Sequence, residues 1–284
     1  MATIAPPLVS VGRRSGMSVA AFLRRALLAL AFLLVAAGLV VTVSLARDSA
    51  RLRETARSVV AGEPTQAGRL TKIVDWVYHN QGFEKNSHYF LWRRLEATPV
   101  QVLEHGGDCS DKSRLTVSLL RELGIPASLA MVKGCPTCAF GHTVALAKMS
   151  SGWTPVDPVY DITFPEGTGK FTPIERLKAD PSLQTRRLAT LRARGFPDEK
   201  IQYFATDRDP FTYVTTINWD KNALTRAVAR ALRAAGVAPW LVPRPRLMDD
   251  PKFLVAILCF GLAGGLALLA VAWRGTRSRV LAGR

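Results

Sequence analysis

Two apolar runs without a charge, Ala26 to Ala46 and Phe253 to Trp273, bracket a middle stretch whose apolar positions recur with the periods of helices and strands. Each run is 21 residues long, enough at ~1.5 Å per residue to cross the ~30 Å hydrocarbon layer of a bilayer. In the middle stretch Leu70, Ile73, Val74 and Val77 fall at i, i+3, i+4 and i+7, which predicts a helix opened by Thr65 and closed by Gly82. Residues 83–103 are mixed, and Tyr89, Phe90, Leu91 and Trp92 are expected to pack on the core. Leu115, Leu119, Leu120 and Leu123 share a face of a second helix, from about Ser110 to Leu123. Asp108 is its N-cap, and Gly124 with Pro126 is its stop. The period then changes to two. Ala127–Val132 and His142–Lys148 read as strands, Ser150-Ser151-Gly152 as a turn, and Trp153–Val156 as the return strand. Further on, Pro173–Lys178, Leu183–Arg194 and Leu224–Ala235 read as helices, the last with Leu224, Val228, Ala231 and Leu232 inward. Tyr203–Trp219 has a strand-like, aromatic character. The fold class that follows is α+β, a helix packed on an antiparallel sheet, flanked by two transmembrane helices.

Charge divides the 284 residues further. Residues 1–25 and 274–284 hold eight Lys/Arg and no Asp or Glu, so half of the net charge of +16 sits in two short tails. Such tails are the cytoplasmic flanks of membrane spans rather than a nucleic-acid surface. The organisation expected is a cytoplasmic tail (1–25), a first span (26–46), an extracytoplasmic domain (47–252), a second span (253–273) and a cytoplasmic tail (274–284). The length of the first apolar run favours an uncleaved anchor over a cleaved signal. In a bacterial cell the expected location is the inner membrane, with the middle domain in the periplasm. The partners expected are the lipid bilayer and a protein or peptide of the cell envelope, with no nucleic acid.

The chemistry concentrates at Glu104-His105-Gly106-Gly107-Asp108-Cys109-Ser110-Asp111-Lys112. Cys109 falls at a helix N-terminus, where unpaired N–H groups and the positive end of the dipole favour a thiolate. Gly106 and Gly107 are expected to let a substrate approach the backbone. Asp108 and Asp111 act against the thiolate, so a nucleophilic Cys109 needs a cation, and the usual one is an imidazolium. His142 begins the second strand. A turn centred between 149 and 152 puts its cross-strand partner between 157 and 161, so Asp157 lies within reach of it. Cys109 is then the nucleophile, His142 the base, and Asp157 the group that fixes the ring's tautomer. The Cys109 N–H is placed to receive a developing oxyanion. His105 is an alternative base, and His79 and His88 form no pattern. Cys135 and Cys138 suit a local disulfide in an oxidising compartment. A redox motif needs a helix start and a zinc site needs two further ligands, so no metal or cofactor is expected.

Gly-Gly-Asp-Cys-Ser-Asp-Lys, Leu-Leu-Arg-Glu-Leu-Gly-Ile-Pro-Ala, Gly-His-Thr-Val-Ala-Leu and Trp-Thr-Pro-Val-Asp-Pro, in that order, resemble the transglutaminase-like core over about residues 65–160. The resemblance implies a papain-like fold and a Cys109–His142–Asp157 triad. Trp76 resembles the tryptophan of the helix that precedes the catalytic block. Residues 161–246 resemble nothing and read as a helical or mixed extension. Calcium-binding features of the animal members are not evident, which places acyl-transfer crosslinking second. The expected function is thiol-dependent hydrolysis of an amide bond, as by a peptidase or amidase. A non-catalytic scaffold in an envelope or polysaccharide assembly complex is the alternative.

Overall fold

The computed structural model describes residues 19–132, 141–167, 169–197, 217, 219–220, 222–239, 242 and 244–282, with the backbone alone over 274–282. Cys135, Cys138 and residues 203–216 fall outside the described residues. The chain divides into two compact units, residues 1–40 with 256–284 and residues 41–255.

The first unit holds the apolar parts of two long helices, α1 (Val19–Val59) and α8 (Pro251–Ala282). Gly38 lies against the ring of Phe260, where an added Cβ would come within 3.0 Å of it. The residues these helices bury are small. Ala256, Ala263 and Ala270 recur every seven positions on α8, and Ala31 and Gly38 do so on α1. Large apolar side chains, among them Phe32, Leu33, Leu268 and Val271, point outward. Small residues at the helix contact with large ones outside is the reverse of a soluble core and suits a pair of helices in lipid.

The second unit is built on a three-stranded antiparallel sheet of β1 (Ala127–Val132), β2 (His142–Met149) and β3 (Gly152–Val156), in that order. Alternation sends successive β2 side chains to opposite faces. Ala145, Ala147 and Met149 face a core shared with α2 (Gln66–His79), α3 (Pro99–His105) and α4 (Cys109–Glu122). Val144 and Leu146 face a second core with Ile162, Phe164, α5 (Ile174–Ala179) and α6 (Pro181–Ala193). The sheet is covered on both sides, which is why β2 is buried almost end to end. The charged end of α1 belongs to this unit. Leu52 and Ala56 enter the first core, while Arg53 pairs with Glu122 of α4 at 2.9 Å and Arg51 pairs with Glu104 of α3.

Two expectations about packing fail. Tyr89 and Phe90 are half-buried, but Leu91 is 64% and Trp92 56% exposed. Leu91 has φ 64°, a left-handed conformation that turns its side chain out of the chain's path. The second failure is α7 (Ala223–Ala234), which buries only Ala229 and leaves Leu224 73% exposed, with Val228 and Ala231 also exposed. Its apolar stripe is real, but the helix seats on Ala229, about 100° or more around from Leu224, Val228 and Ala231 and closer to Leu232, which is half-buried.

Candidate active site

Cys109 is the first residue of α4, and the loop before it is built to start a helix there. Asp108 Oδ1 accepts from the Ser110 and Asp111 N–H groups at 2.9 and 3.1 Å, and Asp111 Oδ2 reaches back to the Asp108 N–H at 3.3 Å. This capping box satisfies two N-terminal donors and one cap donor. Among the described residues the Cys109 N–H meets no acceptor. The glycines serve this loop rather than leaving room for a substrate. Gly106 has φ 74°, and a Cβ there would lie 2.6 Å from the Gly82 carbonyl oxygen. A Cβ on Gly107 would lie 2.3 Å from that of Asp111.

Three side chains of the next turn then fix α4. Lys112, 3% exposed, donates to the carbonyls of Val77, Tyr78, Asn80 and Gln81 at 3.0, 3.1, 3.1 and 3.2 Å, closing the C-terminal end of α2. Burial holds its pKa below the usual lysine range. The Ser113 hydroxyl donates to the Thr143 carbonyl at 2.9 Å, pinning α4 beside the start of β2. Buried Arg114 pairs with Asp111, and with Glu96 at 3.0 Å. Burial pushes the Asp111 carboxyl up, against the pull of Arg114. Both carboxylates that flank Cys109 are therefore engaged, Asp108 by N–H groups and Asp111 by a guanidinium.

The sheet brings the remaining two residues together. Ala145 pairs with Val156, and Ala147 with Thr154. Continued by three residues, this register puts Val159 opposite His142 and Asp157 opposite Val144. Residues 142 and 144 share a face, so His142 and Asp157 point to the same side of the sheet. A turn follows Val156 and returns through the Asp157–Ile162 bridge. His142 Nε2 lies 2.6 Å from Asp157 Oδ2, and Asp157 Oδ1 accepts from the Val159 N–H at 2.9 Å. Asp157 is fully buried (0% exposed), and the Tyr160 ring stacks on His142 at 5.3 Å. With Nε2 held by Asp157, Nδ1 is the ring nitrogen left to serve Cys109, whose side chain hydrogen-bonds to His142.

Burial is the largest single influence on His142 and opposes its charge. The Asp157 charge and hydrogen bond, joined by those of Cys109, outweigh it and push the ring up to about 10. An imidazole with its folded pKa above the unfolded ~6.5 adds stability that is complete below pH ~6.5 and lost as pH rises through about 10. The melting-temperature gap between wild type and His142→Gln is expected to hold steady from pH 5 to 6.5 and to narrow toward pH 10. Thermal melts followed by circular dichroism check this.

The structure thus brings together the three residues singled out in the sequence. His105 is elsewhere engaged, stacked on His88 at 3.7 Å, and His79 faces Asp75. Trp76 packs against the first core. Sequence reasoning missed Lys112, Ser113 and Arg114. The one available signal was the charged pair Asp111-Lys112 inside a helix turn that must face the core.

Residues 53–158 match the family model of the transglutaminase-like superfamily. No curated protein matches the chain. Among solved structures it is similar to a candidate cysteine protease from Cytophaga hutchinsonii, at 20% identity and a TM-score of 0.34, over 40% of this chain and 39% of that one. It is also similar to a TGase, at 14% identity and a TM-score of 0.29, over 52% of this chain and 35% of that one. The chain spans about two fifths or less of each.

Proposed function

With residues 53–158 forming a transglutaminase-like domain, we propose that this protein is a membrane-anchored thiol hydrolase that cleaves an amide bond in a protein or peptide of the cell envelope. The observation that carries the proposal is His142, held between the buried Asp157 carboxylate and the Cys109 side chain. Cys109 loses its proton to His142 and attacks the substrate carbonyl carbon, and the carbonyl electrons move to oxygen. The Cys109 N–H at the start of α4 receives that oxyanion. As the oxyanion collapses, the C–N bond breaks and His142 protonates the departing amine, leaving a thioester on Cys109. Water, deprotonated by His142, attacks the thioester. The C–S bond breaks, the acid leaves and the thiol is restored.

Anchoring is supported by two helices long and apolar enough to cross a membrane. The outward large apolar side chains on both add to this. The basic tails then lie in the cytoplasm and residues 47–252 in the periplasm, facing out from the inner membrane.

The full chain in lipid nanodiscs, incubated with a mixed peptide library in oxygen-18 water, tests the reading. New C-termini carrying oxygen-18 are expected with wild type and not with Cys109→Ala, and they are expected to remain dominant when dansylcadaverine is added. Dominant dansylcadaverine adducts would make it an acyltransferase. Absence of both products, with no acyl adduct on Cys109, would leave the scaffold alternative.

A further inference from the structure

The turn at Phe90–Arg94 displays two large apolar side chains to solvent. Leu91 is 64% and Trp92 56% exposed, and Leu91 holds a backbone conformation that L residues seldom adopt. The display is braced. The Phe90 N–H donates to the Glu96 carbonyl at 3.1 Å, the Trp92 N–H to the Phe90 carbonyl at 2.8 Å, and the Leu95 N–H to the Trp92 carbonyl at 3.0 Å. Arg93 and Arg94 follow, both exposed, and neither guanidinium has an ion-pair or hydrogen-bond partner among the described residues.

The position of the turn says what covers it. Lys252 Nζ sits 5.8 Å from the centre of the Phe90 ring. The same ammonium donates to Ser44 Oγ at 2.9 Å and pairs with Asp48. Ser44 lies in the last turn of the first apolar run, and Lys252 immediately precedes the second. All of these residues belong to the unit 41–255. The turn therefore stands where both apolar helices change from uncharged to charged sequence. If those runs lie in a bilayer, the headgroup layer lies there.

We propose that Leu91 and Trp92 insert into the boundary between headgroups and acyl chains, with Arg93 and Arg94 on the lipid phosphates. Tryptophan and leucine followed by arginine suit that layer, since the rings and alkyl groups enter the apolar side while guanidinium groups stay with the phosphates. Arg93 and Arg94 also line a cavity of about 550 Å³ together with Tyr89, Asp108 and Ser110. Seated this way, the cavity opens at the membrane surface. This rests on the membrane-anchored reading above.

Tryptophan fluorescence of the full chain in nanodiscs made with acyl-chain-brominated or ordinary phosphatidylglycerol tests the proposal. The Trp92 signal is the difference between wild type and Trp92→Phe, and the Trp273 signal is obtained in the same way with Trp273→Phe. Bromine is expected to quench the Trp92 signal at least twofold, and Arg93→Glu with Arg94→Glu to weaken that quenching. Trp273 closes the second apolar run and reports the anchor itself. A quenched Trp273 with an unquenched Trp92 overturns the insertion while leaving the anchor standing. If neither is quenched, the anchored reading falls, and the insertion falls with it.

Discussion

Asp157→Asn is expected to lower turnover by about 10³-fold or more while the protein still folds. The carboxylate is fully buried and has two partners, the Val159 N–H on Oδ1 and His142 Nε2 on Oδ2. Asparagine keeps the shape but has one acceptor. If its oxygen keeps the Val159 bond, its NH₂ faces His142, and Nε2 must give up its proton to accept. The ring proton then sits on Nδ1, toward Cys109, where it cannot receive the proton of the thiol. If the amide flips, its NH₂ opposes the Val159 N–H instead. Either way the charge that outweighs burial is gone, and the His142 pKa is expected to fall well below about 10. Cleavage rates, with an NMR titration of the His142 ring, check both parts.

Lys112→Met is expected to destabilise the domain by about 3 kcal/mol, since it strands one buried and three part-buried carbonyls at once. Methionine nearly matches the volume, so packing changes little and the loss is polar. Four carbonyls at and beyond the end of α2 converge on the ammonium, which pairs with no carboxylate among the described residues, and the negative end of the α2 dipole adds to the field that holds the charge. Lys112 is three residues from Cys109, so loosening this joint also frees the start of α4. A fall in melting temperature on the order of 10 °C, with amide exchange rising first at Tyr78–Gln81, is the expected result. An unchanged melting temperature would mean that water replaces the ammonium without loss.

The parts of the fold legible in the sequence are those set by local rules. The Asp108 cap marks the start of α4, and the strand boundaries of the hairpin follow from the period of two. Because the turn is short, its register had few options, and that alone brought Asp157 to the side of His142. What stayed hidden depends on what lies across from a residue. Lys112 reads as a surface charge until the end of α2 is laid over it. Gly106 and Gly107 read as open space until Gly82 and Asp111 are seen to fill it. Leu91 and Trp92 read as core by composition, and Leu224 and Val228 by helical period. Neither signal says which side of an element meets the rest of the molecule. The charged stretch from Arg47 to about Val60 reads in the sequence as a helix continuing the first apolar run, and α1 does continue through it to Val59. Its charged half reaches the domain through contacts with α3 and α4 that are distant in sequence.

The central claim is that Cys109 and His142 act as one unit, joined by the hydrogen bond between their side chains. The direct measurement is the rate at which iodoacetamide alkylates Cys109 in the full chain between pH 6 and 8, in wild type and in His142→Ala. The wild-type rate is expected to change by less than about twofold, because His142, pushed up to about 10, keeps its charge beside the Cys109 side chain across that range. The His142→Ala rate is expected to fall by about 70-fold from pH 8 to pH 6, as for an ordinary thiol titrating near 8.5. A wild-type rate that falls as steeply as that of His142→Ala would contradict the account.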